Sequence, residues 1–270
     1  MNSENISQRQ RHLNAFYLAI GFFTRLPTRF LDEIADEDMG RALAYLPVVG
    51  LVLGILTAAT GILLATSLEN WHDGLNTLQL ALAGVVSFVV LVLASGGLHL
   101  DGLADCADAW IGGLGDRERT HKILKDPLCG AMAVTILIIT LLIKAAGVVA
   151  LVVSGNWLLL LLVPILSRTS GLLLFLTTEY VRPKGLGQAF ADFCSNPPHR
   201  VECKVALGAG IILPSLLMVS VWPALIVAAM AWYWLRAQSM ERLGGITGDV
   251  CGAIIELIEA VLFISAALLV

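Results

Sequence analysis

The chain has 270 residues, of which 57% are hydrophobic and 14% charged, with a net charge of −4 and a mean hydropathy of +0.83. Soluble domains carry about a quarter of charged residues, so an ordinary soluble globule is excluded and a polytopic membrane protein is expected. Five cysteines (Cys106, Cys129, Cys194, Cys203, Cys251) without C-x-x-C spacing argue against a structural zinc site and a disulfide framework.

The polar start, MNSENISQRQRHLN, is not followed by a short apolar region with a small-residue cleavage site, so no cleavable signal is expected. Residues 12–23, HLNAFYLAIGFF, are too short to cross a bilayer and read as a helix lying at the cytoplasmic interface. Apolar runs of spanning length follow near 43–66, 78–97, 131–153, 157–177, 205–222 and 251–270. The short run 223–235 counts as a seventh span, although 205–235 also suits a re-entrant hairpin broken at Pro214 and Pro223. The fold class expected is all-α: a polytopic membrane bundle of six or seven transmembrane helices plus the interfacial helix, with residues 1–270 as one integral membrane domain.

Positive charges orient it. Arg9, Arg11, Arg25, Arg29 and Arg41 precede the first span, Arg117, Arg119, Lys122 and Lys125 lie in 98–130, and Arg182, Lys184, Arg200 and Lys204 lie in 178–204. The opposite connections 67–77 and 154–156 carry no Lys or Arg. Basic connections stay in the cytosol, so the N-terminus and the 98–130 and 178–204 segments are expected there, in the cytoplasmic (inner) membrane. No nucleic-acid partner is expected; the lipid bilayer is.

The segment 95–110, SGGLHLDGLADCADAW, carries Asp101, Asp105 and Asp108 on one helix face at successive turns. Three carboxylates so close repel one another unless a cation lies among them. Oxygen donors without Cys or His partners suit Mg²⁺ or Mn²⁺. The plain alternative is a solvated helix face, but ionisable groups beside membrane helices are functional candidates.

A second acid group lies in 242–260, RLGGITGDVCGAIIELIEA. Asp249 sits at the cytoplasmic mouth, and Glu256 and Glu259 lie about 10 and about 15 Å deeper. Gly245, Gly248 and Gly252 leave one face bare for a close approach of backbone or ligand. Glu256 suits either the site or a buried pair with Lys144 or Arg168; for Glu259 the buried pair is the better reading. Among the bases, Arg117 and Lys125 follow the aspartate helix and are candidates for phosphate binding, as is Lys184 in the 179–190 segment. Arg168, roughly mid-membrane, must pair with an acid or reach a polar cavity.

Metal-type acids with Lys and Arg at a membrane face suit phosphoryl or nucleotidyl transfer, in which a metal neutralises a diphosphate. No P-loop and no G-x-S-x-G is present. A transporter lined by Lys144, Arg168 and Glu256 is the alternative from another class, but the outer connections offer almost no polar residues and no internal repeat is visible. A generic CDP-alcohol phosphotransferase would carry its acids in one stretch, whereas here they divide between 101–108 and 249–256.

GGLHLDGLADCADAW, KDPLCG, SRTSG, RPKGLGQAF and LGGITGDVCGAIIELIEAVLF, with FFTRLPT near the start, together resemble the cobalamin synthase (adenosylcobinamide-GDP ribazoletransferase) family. The resemblance runs from about residue 16 to the C-terminus. It implies a Mg²⁺-dependent membrane enzyme that joins adenosylcobinamide-GDP to α-ribazole or its 5′-phosphate and releases GMP, in cobalamin biosynthesis. It further implies that Asp101, Asp105 and Asp108 bind the metal, with Asp249 and Glu256 completing the metal or substrate site. Asp108 is the expected base, with His99 as a second base, a hydrogen-bond donor or a residue orienting Asp101. Many members carry Arg where this chain has Leu128, so no phosphate contact carries over to that position. Assembly with other cobalamin enzymes at the bilayer and homo-oligomerisation are both left open.

Overall fold

The computed structural model describes residues 7–31, 33–71, 76–183, 185 and 187–270. Among them, twelve α-helices form: α1 (Gln8–Phe23), α2 (Asp36–Ala42), α3 (Leu46–Trp71), α4 (Thr77–Ser95), α5 (Leu98–Gly112) and α6 (Arg117–Ile123), then α7 (Ala131–Val153), α8 (Trp157–Thr177), α9 (Gly187–Ser195), α10 (Pro197–Leu217), α11 (Trp222–Leu243) and α12 (Gly248–Ala267). One 3₁₀ turn, Leu43–Tyr45, joins α2 to α3, and another, Val219–Val221, joins α10 to α11.

Six of these segments are long and apolar enough to cross a membrane, so the protein is a polytopic helical membrane protein. The spans sit close to the expected runs, with one difference. The helix expected over 205–222 starts at Pro197 and carries Arg200, Glu202 and Lys204 in its first turns, so only its second half is apolar. The short run 223–235 instead belongs to a 22-residue helix that continues past the end of the apolar stretch to Leu243. Pro214 is accommodated inside α10, and Pro223 lies in the first turn of α11, where its missing N–H is not needed. Helix α1, with 16 residues, is too short to span and packs on α2 and the start of α3.

Small residues decide which helices touch, as lipid supplies no hydrophobic drive between spans. Gly50 and Gly54 of α3 face the backbone of α8 so closely that a Cβ on either would collide with the carbonyls of Pro164 and Leu161. Gly84 of α4 does the same against Val149 of α7, and Gly147 of α7 against Phe263 of α12. The result places α8 and α12 at the centre: 78% and 72% of their apolar windows are buried, against 22% for α4 and α11. Leu63, Leu93, Leu142, Leu213 and Met230 point outward as a lipid-facing belt.

Four charges lie inside this bundle. Lys144 Nζ donates to Glu256 Oε2 at 2.6 Å and lies 2.5 Å from Glu259 Oε2, while Arg168 pairs with Glu259 and donates to Ser167 Oγ at 3.0 Å. All four side chains are 0–2% exposed. Two acids and two bases thus cancel in a place where an unpaired charge costs several kcal/mol, and the network ties α7, α8 and α12 together.

Candidate active site

Helix α4 ends at Gly96, and α5 begins after Gly97; both have φ of +74°, the left-handed conformation that glycine adopts without steric cost. The helix therefore breaks here, and α5 lies antiparallel against the first turns of α12. The crossing is tight because both partners are small: a Cβ on Gly102 would lie 2.6 Å from the Asp249 carbonyl, and one on Gly252 would lie 3.0 Å from the His99 Cα. This crossing is what brings Asp101 and Asp105 beside Asp249, 144 residues and more away in the chain.

Asp101 and Asp249 line a cavity of about 460 Å³ together with His99, His121, Lys125 and Arg182. Aromatic rings of Phe22, Phe23, Phe175, Tyr180 and Phe190 form much of the remaining wall. Asp105 sits half-buried behind Asp101, and burial, then Asp101 and Asp249, push its carboxyl up to about 6, while Arg182 opposes the shift. Among the described residues neither the Asp101 nor the Asp105 carboxylate receives a hydrogen bond. Asp249 accepts from Arg182 Nη1 at 2.7 Å and from the Thr247 hydroxyl at 3.3 Å. Thr247 is also the N-cap of α12, its hydroxyl accepting the Val250 N–H at 3.3 Å.

The segment after α8 is held over this mouth by a two-bond parallel bridge. Val181 N–H donates to Ile246 O at 2.9 Å and Ile246 N–H to Glu179 O at 2.8 Å. Gly245 permits it, as a Cβ there would strike the Glu179 carbonyl. Arg182 is thereby fixed beside Asp249.

Other expected site residues are used differently. Asp108 turns away from the cavity wall, and its two oxygens accept the N–H groups of Gly130 at 2.5 Å and Ala133 at 2.9 Å, capping α7. Glu256 lies within the buried charge network, its Oε2 accepting from Lys144 and its Oε1 4.0 Å from His99 Nδ1. Arg168 is likewise consumed by Glu259 and is absent from the cavity wall. Arg117 clamps the end of α11, donating to Glu241 O at 3.0 Å and Met240 O at 3.4 Å. Lys184 lies outside the described residues. Lys125 is exposed and reaches the cavity.

His99 is 5% exposed, and burial, followed by the Arg168 charge, lowers its pKa to about 4, so the ring is neutral. Sequence reasoning did not single out His121 or the aromatic wall. The rings come from four separate segments, and no spacing within one element announces them. Arg182 appeared only as one base among several in its segment.

The donor set is made of carboxylate oxygens, which suits a hard divalent cation. As they stand, no three His, Cys, Asp or Glu side chains among the described residues lie close enough to hold a metal ion by themselves. A Mg²⁺ ion here would therefore need waters and substrate phosphates to complete its ligands.

Fold and site together define a polytopic helical membrane protein with a carboxylate-edged, aromatic-walled cavity at one end of the bundle. Residues 15–267 match the family model for cobalamin-5-phosphate synthase, and the chain belongs to that family. It is 44% identical over 254 residues to an adenosylcobinamide-GDP ribazoletransferase of Pseudomonas syringae pv. syringae, covering 94% of this chain and 99% of that one. It is 43% identical over 258 residues to one of Pseudomonas aeruginosa, covering 95% and 98%. No solved structure matches.

Proposed function

We propose that this protein is a membrane transferase that joins adenosylcobinamide-GDP to α-ribazole, or its 5′-phosphate, and releases GMP, the lower-ligand attachment step of cobalamin biosynthesis. The family membership and the activity named for relatives 44% identical over nearly the whole chain support the reaction. The observation that carries the site is the convergence of Asp101 of α5 with Asp249 of α12, beside Arg182 and Lys125, on one cavity, with Asp105 close behind both acids.

In this reading Asp101 and Asp249, with Asp105 behind them, would hold Mg²⁺ together with waters and substrate phosphate, with Mn²⁺ as a substitute. When bound, the cation neutralises the diphosphate and stabilises the departing GMP. Lys125 and Arg182 bind phosphate oxygens, Arg182 exchanging its bond to Asp249 for one to substrate. The acceptor hydroxyl oxygen bonds to the corrinoid-side phosphorus as the phosphorus–oxygen bond to GMP breaks, and its proton passes to a carboxylate of this set. Apolar walls exclude water, which would otherwise compete as the nucleophile. Asp108 and Glu256 act by holding α7 and α12 in place.

The distribution of basic residues supports a cytoplasmic membrane location with the cavity facing the cytosol. The transporter alternative draws no support, because Lys144 and Glu256 are buried against each other and Arg168 against Glu259. The test is incubation of protein in lipid nanodiscs with adenosylcobinamide-GDP and α-ribazole phosphate, with Mg²⁺ and then with EDTA. GMP and completed corrinoid are expected only with the metal; no GMP under either condition overturns the reading.

A further inference from the structure

The cavity lining divides into two chemical sets. Asp101, Asp249, Arg182 and Lys125 are the polar set and serve the diphosphate in the proposed reaction. The second set is aromatic and continuous: ring centroids lie 5.8 Å apart for Phe23 and Phe190, 6.0 Å for Phe190 and Phe175, and 6.0 Å for Phe175 and Tyr180. His99 extends the series, its ring 6.1 Å from Phe23. Opposite Gly252, His99 lies about one turn deeper along α12 than Asp249, so the His99 end of this set reaches into the inner part of the cavity.

His99 is the telling member. It is 95% buried by its 5% exposure, lines the cavity, and has no hydrogen-bond partner at Nδ1 or Nε2 among the described residues. Glu256 Oε1, at 4.0 Å, is too far to serve as one. A buried polar side chain left unsatisfied costs about 1–3 kcal/mol, and His99, whose two nitrogens are covered and unpartnered, belongs to the cavity wall, where a ligand can complete it.

We infer that the aromatic set and His99 form the subsite for the flat heterocycle of the acceptor, with the His99 ring N–H donating to that heterocycle's free ring nitrogen. The inference rests on the transferase reading and goes beyond it by dividing the cavity between the two substrates. Two planar fused heterocycles enter the reaction: the guanine of the donor and the benzimidazole of ribazole. Guanine carries several donors and acceptors on its edge and needs a matching polar wall, whereas the inner set offers only His99 and the Tyr180 hydroxyl. Benzimidazole, attached through one nitrogen, keeps one lone pair, which one imidazole N–H satisfies. The corrinoid macrocycle is far too large for about 460 Å³ and remains outside.

The test compares α-ribazole phosphate with an analogue in which the free ring nitrogen is replaced by C–H, using wild-type protein and His99→Gln in nanodiscs. Wild type should favour the natural acceptor about tenfold in kcat/KM, and His99→Gln should lose that preference while its KM for adenosylcobinamide-GDP stays unchanged. Phe190→Leu should raise the acceptor KM about tenfold or more, again without change in the donor KM, which also reports that the variant is folded. A preference that persists in His99→Gln, or a rise in donor KM instead of acceptor KM, overturns the inference.

A photoreactive benzimidazole nucleoside on wild-type protein tests it without any substitution. Labelling of peptides containing Phe23, Phe175 or Phe190 is expected, and labelling confined to 117–130 overturns it. Absence of GMP release by wild-type protein overturns the transferase reading and this inference with it, whereas normal release with unaltered selectivity overturns the inference alone.

Discussion

Asp108 holds Gly130: its Oδ2 accepts the Gly130 N–H at 2.5 Å, so an acid 22 residues upstream caps the first turn of α7. The Ala133 N–H, 2.9 Å from Oδ1, takes the other oxygen. The pair explains why α7 starts at a glycine, since a Cβ on Gly130 would press on the Asp108 carboxylate at 2.6 Å. Asp108→Ala is expected to destabilise the protein by about 1–2 kcal/mol, the usual cost of losing a cap, read as a lowered midpoint of thermal unfolding in detergent. An unchanged midpoint with a weakened Mg²⁺ requirement would instead return Asp108 to the metal set.

Asp101 and Asp249 have the opposite profile. Asp101→Asn and Asp249→Asn are each expected to lower the rate of GMP release by about a hundredfold or more, with thermal midpoints near wild type. Asp101 is exposed and accepts no hydrogen bond among the described residues, and an asparagine at 249 keeps an oxygen to accept the Arg182 N–H. Retained turnover at saturating Mg²⁺ would remove them from the metal site.

Within the bundle, Lys144→Met leaves Glu256 and Glu259 with one base, Arg168, between them. Breaking a buried pair by removing one partner costs about 3–5 kcal/mol. The double variant Lys144→Met/Glu256→Met restores the charge balance and should be more stable than Lys144→Met alone. Thermal unfolding of both variants decides it, and equal midpoints would mean that the charges are not coupled.

Two glycines of the same crossing region should respond differently. Gly102→Ala puts a methyl 2.6 Å from the Asp249 carbonyl and should displace α5, lowering activity and costing about 1–3 kcal/mol. Gly248→Ala meets nothing within 4 Å and should leave stability unchanged. The pair is checked by thermal unfolding alongside GMP release.

Orientation is testable without any variant. Of the five cysteines, Cys129 is exposed and the other four are buried. A membrane-impermeant maleimide should therefore label Cys129 in inside-out vesicles and leave it unlabelled in right-side-out ones; the reverse pattern would invert the proposed topology.

The sequence alone determined the helical class, nearly every span and the helix bearing the aspartates. Those features depend on hydropathy over about 20 residues and on the 3.6-residue repeat, both of which are local. It also grouped the acids 101, 105, 108, 249 and 256 through their family resemblance, and gave the pairing of Glu259 through the cost of a charge in hydrocarbon. Tertiary structure decided which acids meet, because that depends on the glycine-lined crossing of α5 with α12. It took Asp108 into a helix cap and Glu256 into the core network, although both occupy the same sequence periodicity as the acids left at the cavity. It also assembled an aromatic wall from α1, α8, α9 and the segment after α8, and turned Arg117 to the carbonyls ending α11. A side chain's partner depends on what the chain brings beside it over long range, and no local pattern of residue types encodes that.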